Sequence, residues 1–532
     1  MHPVTIRAMT THLRWRWLLG GAVLLAVGWK VFWLWRGAFP FNADEAVVGL
    51  MARHILQGER PTFFYGQAYM GSLDAFLVAA GFAVFGAQVW VIRLVQALLY
   101  AGTVALTAAL AWRLFGRWES ALAAALLMAV PTVNITLYTT VSLGGYGEAL
   151  LLGTALLWLA LGEGVERPSG ATLWGVLVGL GLWAFGLTLV YAVPAGVFLL
   201  FRWRRLGWRR GGLLASAALG GAVVGAWPWW AYGLRHGWAA LLRELTGSAV
   251  AVEHVGWLAR TARHALYGLL FGLPVTLGLR PPWDVRVLAP VLAVGAVGVY
   301  LAATMLWWRA GRPWRQAWWL PAGVVLTLGA GFLFTAFGID PSGRYFLPAT
   351  QMLFLGFAGS FPRLRWRGKP LGWGLLGFLL LFYAVGTAQA AANPYRLTTQ
   401  FAPDARIAPD AVPRLAAFLE AHGEARGYTT YWVAYPLAFL SAERLIFVPR
   451  LPYHEDLLYT RRDDRYPPYD ARLAQAQRVA LVAPQHPRLE ACLRALLRRR
   501  GLTWQEVVVG DQRVFYHLSA FLPGAALSAC ER

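Results

Sequence analysis

The chain has 532 residues, 58% of them hydrophobic, and a mean hydropathy of +0.49, outside the range of a soluble globular domain. Its 48 Lys and Arg against 26 Asp and Glu give a net charge of +22, with lysine only at Lys30 and Lys369. The pattern argues against nucleic acid as the partner, because the arginines fall in short runs between apolar segments, as in Arg202–Arg210 and Arg363–Lys369, where cytoplasmic loops carry them.

Arg7, Arg14 and Arg16 precede an apolar run that reaches Trp35, and no small-residue cleavage site follows it. The run reads as a retained first span with a cytoplasmic N-terminus. Crossing a bilayer takes about 20 apolar residues. Windows of that kind lie at 17–37, 91–113, 119–138, 147–162, 171–187, 188–203, 211–232, 286–308, 317–337, 345–361 and 371–391. The stretch 266–279 is apolar but brief and interrupted by Gly and Pro. With it non-spanning, Arg113/Arg117, Arg202–Arg210, Arg309/Arg312/Arg315 and Arg363–Lys369 all fall inside. About 11 spans are therefore expected, with 11–13 as the bounds. The outer face then carries the first loop 38–90, Tyr138–Glu148, the loop 233–263, Asp340–Arg344 and the C-terminal region.

After Ala392 the long apolar runs stop, and residues 393–532 hold 18 arginines against 14 acids. Helical spacing over Ala411–His422 and Leu489–Arg500 alternates with strand-like Tyr428–Val433, Leu445–Val448, Val479–Pro484, Val507–Val509 and Val514–His517. A soluble α/β domain is expected at 393–532, after a transmembrane domain at 1–392. Tyr453–Asp470, rich in Tyr, Pro, Arg and Asp, reads as an exposed loop. Cys492 and Cys530 are the only cysteines; their spacing does not decide a disulfide, and two unpaired thiols are expected.

The candidate chemistry concentrates in the first outer loop. Asp44 and Glu45 follow the first span directly, and Val47, Val48, Met51, Ile55 and Leu56 continue at helical spacing past Arg53 and His54. This predicts a short interfacial helix with two carboxylates at its N-terminal end. A carboxylate pair at a membrane surface is costly to desolvate, and one member of such a pair serves readily as a proton acceptor. An N-cap at Asp44 is compatible with that role. Tyr65, Gln67, Tyr69 and Asp74 have the aromatic, amide and carboxylate chemistry of a sugar site, or anchor the loop at the interface. Tyr146 and Glu148 open the fourth span from the outer side. Arg344, with Tyr345, stands where a guanidinium fits a phosphate. No phosphate-cradling Gly-x-x-x-x-Gly-Lys-Ser/Thr loop and no His-Glu-x-x-His pair occurs, so no metal ligand set is assigned and an ATP-driven pump is disfavoured.

The Asp44-Glu45-Ala46 motif, the helix after it, Arg344-Tyr345 with Leu347-Pro348 before a late span, and the outer C-terminal domain together resemble the membrane glycosyltransferases of the GT-C fold. The pattern is most like the protein O-mannosyltransferase and aminoarabinose transferase group, over about 390 residues of architecture. That resemblance implies an inverting enzyme of the cell membrane, with Asp44 as base and Glu45 beside it. It also implies a polyprenyl-phosphate sugar donor whose phosphate meets Arg344, and a lipid, glycan or protein acceptor outside the cytoplasm. The aminoarabinose-transferase pattern carries Lys-Pro-Pro-Leu later in this loop, where the chain reads Tyr69-Met-Gly-Ser-Leu73, so either Arg53, Arg344 or another arginine takes the lysine's place at the donor phosphate or the donor differs. A divalent cation is compatible with the sequence but not required by it. The alternative is a transporter or flippase of a lipid-linked or anionic substrate, which would be expected to show two related halves that the sequence lacks.

Overall fold

The computed structural model describes residues 3–247, 255–309 and 315–531; Arg312 and residues 248–254 of the expected loop 233–263 lie outside them. Two compact units are present, one formed by 1–38, 93–246 and 250–392 and the other chiefly by 39–92 and 393–532.

The first unit is helical, as a chain whose backbone must satisfy itself in lipid has to be. Every one of the eleven apolar windows holds helix, but not all hold one of spanning length. Five described helices are long and apolar enough to cross a membrane: Trp17–Trp35, Val89–Phe115, Gly186–Arg204, Pro290–Arg309 and Gly372–Ala391. Trp208–Gly225 and Trp227–His236 would make a sixth span across a 58° bend. The window 119–138 is cut at Pro131, where Trp118–Ala129 ends and Thr132 caps Val133–Tyr138. Residues 266–279 form short pieces, a π-helical turn Gly268–Gly272 and the helix Leu273–Thr276.

Helix Pro168–Ala184 packs on Trp208–Gly225 through matched small residues. A Cβ on Gly175 would lie 1.9 Å from the Ala218 carbonyl oxygen, and one on Gly179 would lie 2.0 Å from that of Ala222. Gly221 and Gly225 meet Thr172 and Val176 in the same way, at 2.2 and 2.1 Å. Two Gly-xxx-Gly faces thus bring the backbones together, the contact that replaces hydrophobic driving force between helices in lipid.

In the second unit Asn42 caps the helix Ala43–Leu56, its Oδ1 accepting from Glu45 N at 3.0 Å, and Asp44 and Glu45 occupy the first turn. A small hairpin, Phe63–Phe64 with Gln67–Gly71, leads into the helix Leu73–Phe85. Residues 39–92, assigned from sequence to the membrane domain, therefore group with 393–532 in compactness. Helix Ala43–Leu56 lies on helix Tyr431–Leu440, with Gly49 leaving room for the Phe439 ring, which a Cβ would meet at 2.6 Å.

The C-terminal region is α/β. Its strands β1 (Arg426–Thr429), β2 (Ile446–Pro449), β3 (Ala480–Pro484), β4 (Gln505–Val509) and β5 (Gln512–Tyr516) form one sheet in the order β2-β1-β3-β5-β4. β1 runs parallel to β2 and β3, while β5 is antiparallel to β3 and β4. Leu415, Leu419, Val433, Leu437, Phe447, Val482 and Val514 are among its buried core. Three expectations are corrected. The strand expected at Tyr428–Val433 ends at Thr429, and Tyr431–Leu440 is helix, because its apolar residues pack on two faces instead of alternating. The segment Tyr453–Asp470 is not simply exposed, since Asp463, Arg465 and Tyr469 are buried. Cys492 and Cys530, expected unpaired, form a disulfide that ties helix Pro487–Arg499 to the C-terminal turn.

Two outcomes test this packing. Gly179→Leu should abolish monodisperse purification of the folded protein, read by size-exclusion chromatography, while Gly186→Leu, with open space at its Cβ, should not. Replacing both cysteines by serine should cost about 2–4 kcal/mol by release of the closed loop, seen as a lower melting temperature of the C-terminal transition.

Candidate active site

The N-terminal turn of helix Ala43–Leu56 sets Asp44 against helix Tyr431–Leu440, where Tyr431 Oη donates to Asp44 Oδ1 at 2.5 Å. Burial, followed by the Asp44 charge, holds the Tyr431 hydroxyl well above its ordinary range, so it remains a donor. Arg465 stands over the Tyr431 ring, 5.1 Å from its centroid. With the Gln67 amide oxygen turned toward it, Arg465 Nη2 and Nη1 donate at 2.8 and 2.9 Å. Burial weakens the Arg465 cation, but Tyr431, Asp44, Tyr69 and Tyr435 more than offset this and hold its pKa above the usual value. Arg465 is thus a fixed positive charge beside the Asp44 carboxylate.

Tyr435 locks the segment that delivers it. Its hydroxyl donates to the Asp463 carbonyl at 3.0 Å and accepts from Arg465 N at 2.5 Å. Asp463 comes with the segment as a second carboxyl. Burial raises it to about 7, Arg465 opposes the shift and Asp44 adds to it. Glu45, fully buried, is the neighbour of Asp44 in the same turn.

A second cluster surrounds His54. Its Nδ1 lies 3.1 Å from Tyr65 Oη and its Nε2 3.2 Å from Glu443 Oε1, and its ring stacks on Tyr466 at 4.5 Å. Tyr65 and Tyr466 each donate to Glu59 at 2.5 Å. Arg53 Nη2 donates to the Phe439 carbonyl at 3.3 Å. Burial would raise Glu443, yet His54, Tyr469 and Arg472 outweigh it and hold this carboxylate below its usual range. Asp74 is buried in the first turn of helix Leu73–Phe85. Of the loop residues singled out in the sequence, Gln67 and Tyr69 thus converge on Arg465, whereas Arg53, His54 and Tyr65 belong to the second cluster.

In the helical unit, Gly144 and Gly145 take positive φ (75° and 91°) to start helix Tyr146–Ala160, whose first turn holds the buried Glu148. A Cβ on Gly145 would lie 2.8 Å from Phe185 Cβ. Tyr146 and Tyr345 have ring centroids 6.3 Å apart, and the Arg344 guanidinium stands 5.3 Å over Tyr345. Arg344 Nε pairs with Asp340 Oδ2 at 2.5 Å. The turn that carries them is held by Asn134 Nδ2, which donates to the Gly343 carbonyl at 3.2 Å, and by the buried Arg280, which donates to the carbonyls of Phe271, Pro281, Pro282, Asp284 and Pro341.

Sequence reasoning missed Tyr431, Asp463, Arg465 and Arg280. The density of Tyr, Arg and Asp in 453–470 was the one available signal for the middle pair. Among the described residues no group of three or more His, Cys, Asp or Glu side chains is placed to hold a metal ion.

The raised Asp463 carboxyl makes a signed prediction. Its folded pKa exceeds its unfolded one, so the native state holds the extra proton and stability falls as pH rises from about 4 to about 7. Asp463→Asn should remove that fall, raising stability above pH 7 by up to about 4 kcal/mol and changing little at pH 4. Equal melting shifts at pH 4 and pH 8 would contradict it.

Residues 72–232 match the family described as dolichyl-phosphate-mannose-protein mannosyltransferase, less than a third of the chain. A search of curated proteins returns no significant match. Among solved structures, that of ArnT from Cupriavidus metallidurans bound to undecaprenyl phosphate superposes with a TM-score of 0.60 at 14% identity, covering 94% of this chain and 97% of that one. The same protein in the apo state gives 0.54 at 13% identity over 92% and 98%. The Archaeoglobus fulgidus oligosaccharyltransferase in complex with Zn and sulfate gives 0.50 at 12% identity over 95% and 73%. The chain is a polytopic helical membrane protein with the fold of the GT-C glycosyltransferases.

Proposed function

We propose that the protein is an inverting glycosyltransferase that moves a sugar from a polyprenyl-phosphate carrier to an acceptor outside the cytoplasm. The observation that carries this is the Asp44 carboxylate, half-buried at a helix N-terminus with Tyr431 donating to it and the buried Arg465 beside it. Asp44 takes the proton of the acceptor hydroxyl as that oxygen bonds to the anomeric carbon. The bond from the anomeric carbon to phosphate oxygen breaks, and its electron pair leaves with the polyprenyl phosphate. Arg465 places a positive charge within electrostatic range of Asp44, and the N-terminal amides of the helix favour negative charge there. Arg344 is the proposed contact for the leaving phosphate, its planar fork matching two phosphate oxygens if Asp340 yields to them.

The membrane assignment favours the same chemistry, because a carrier lipid supplies an activated donor without a nucleotide site. The arginine runs inside and the Cys492–Cys530 disulfide support an outer C-terminal region, since disulfides persist in oxidising compartments. ArnT, whose fold this chain shares, was solved with undecaprenyl phosphate, which supports a carrier of that class.

The test is transfer by purified protein from a panel of radiolabelled polyprenyl-phosphate sugars to envelope extract. Asp44→Asn should lower kcat by roughly 10²–10⁴-fold, the range of a lost general base, in protein that still purifies folded and monodisperse. Arg344→Gln should raise the KM for donor more than it lowers kcat. Carrier movement across vesicles without label transfer would replace this reading with transport.

A further inference from the structure

The sheet of the C-terminal region has a topological switch point. The connection from β1 leads through helix Tyr431–Leu440 to β2 on one side, while that from β3 leads through helix Pro487–Arg499 to β4 and β5 on the other. In open α/β sheets such a point leaves a crevice beyond the carboxyl ends of the two strands, where ligands bind. Here it is a cavity of about 220 Å³. Its walls include Thr430 after β1, Gln485 and His486 after β3, Gln512 at the start of β5, and the aromatic pair Trp432 and Tyr453.

The chemistry of the walls is selective. Trp432 and Tyr453 stand at 76° with centroids 6.2 Å apart, an edge-to-face pair that lines one side of the space. Gln512 is 4% exposed; its Nε2 donates to Asp511 Oδ1 at 3.1 Å, and its Oε1 is buried with no hydrogen-bond partner among the described residues. Such an acceptor is costly unless a ligand or water donates to it. Asp404, Asp511 and Arg406 also line the space, so its charged groups are of both signs, and Arg406 donates to the carbonyls of Gln400 and Phe401. Aromatic faces for C–H surfaces and planar acceptors for hydroxyls are the complement of a neutral pyranose. The volume is below the roughly 300–1,000 Å³ of drug-sized sites, which fits a single ring better than a nucleotide.

The cavity also adjoins the Asp44 site. Trp432 follows Tyr431, with ring centroids 4.9 Å apart, and Tyr431 donates to Asp44. Tyr453, packed edge to face with Trp432, lies within the electrostatic reach of Asp463 and Asp44.

We propose that this crevice is a saccharide-binding site that holds one neutral sugar ring of a glycan acceptor. Its assignment to the acceptor rests on the glycosyltransferase reading above, whereas its affinity for a sugar does not. The Trp432–Tyr453 pair packs on one face of the ring, the amide side chains of the wall, Gln485 and Gln512, meet its hydroxyls, and the neighbouring unit of the glycan extends toward Asp44.

Binding is read without turnover, using saturation-transfer difference NMR on the full-length protein in detergent with methyl glycosides of gluco, galacto, manno and arabino configuration. At least one glycoside should show saturated ring protons and compete with no other anion or lipid. Gln512→Glu, nearly isosteric, and Trp432→Leu should each weaken that signal at least tenfold at an unchanged melting temperature, while Asp44→Asn should retain it. Absence of signal from every glycoside with wild-type protein, or equal signal in both crevice variants, would overturn the proposal. Displacement of the glycoside by inorganic phosphate would overturn it too, in favour of an anion site. If glycosides bind but the transfer assay fails, the crevice stands and only its assignment to an acceptor falls.

Discussion

A buried guanidinium has to be answered by acceptors and negative charge, and Arg465 imposes that demand on everything around it. Leaving such a cation without partners costs several kcal/mol. The chain meets the cost with Gln67 from the first-loop hairpin, the Tyr431 ring, the Tyr435 hydroxyl on its backbone and the Asp44 charge. These groups come from three segments far apart in sequence, and one interaction therefore fixes their arrangement. Asp44 gains a positive neighbour within electrostatic range, and the segment 463–465 gains a fixed path past it.

The same arrangement separates the carboxyls by environment. Asp44 accepts from a phenol and faces a cation, whereas Asp463, on the same segment as that cation, is pushed to about 7 by burial and by Asp44. The His54, Tyr65, Glu59 and Tyr466 cluster has no comparable asymmetry toward a reacting group. Its hydrogen bonds close on each other, which suits a scaffold that holds the loop after helix Ala43–Leu56.

In the helical unit the corresponding demand is for satisfied backbone. Arg280 donates to five carbonyls around the turns near 280 and 341, so loop backbone that no helix satisfies still has a donor. The turn that presents Arg344 and Tyr345 is rigid for that reason. The glycine faces of Pro168–Ala184 and Trp208–Gly225 do the parallel task between helices, where contact distance replaces hydrophobic burial.

Apolar runs of fixed length are a local property, and the sequence by itself determined where the helices lie, that the chain belongs in a membrane, and that Asp44 and Glu45 open a helix after the first of them. Strand and helix positions after residue 392 were legible for the same reason, because alternation and 3.6-residue spacing act within a few residues. Tyr431–Leu440 was misread since its burial on both faces comes from partners distant in the chain. The loss of full length at Pro131 turned one expected span into two short helices. Only the tertiary structure decided that Cys492 meets Cys530, that Arg465 comes within electrostatic range of Asp44, and that Gln67 rather than Tyr65 bonds to Arg465. Pairing, charge compensation and burial depend on which segments come together, and that is settled by long-range packing that no local pattern encodes.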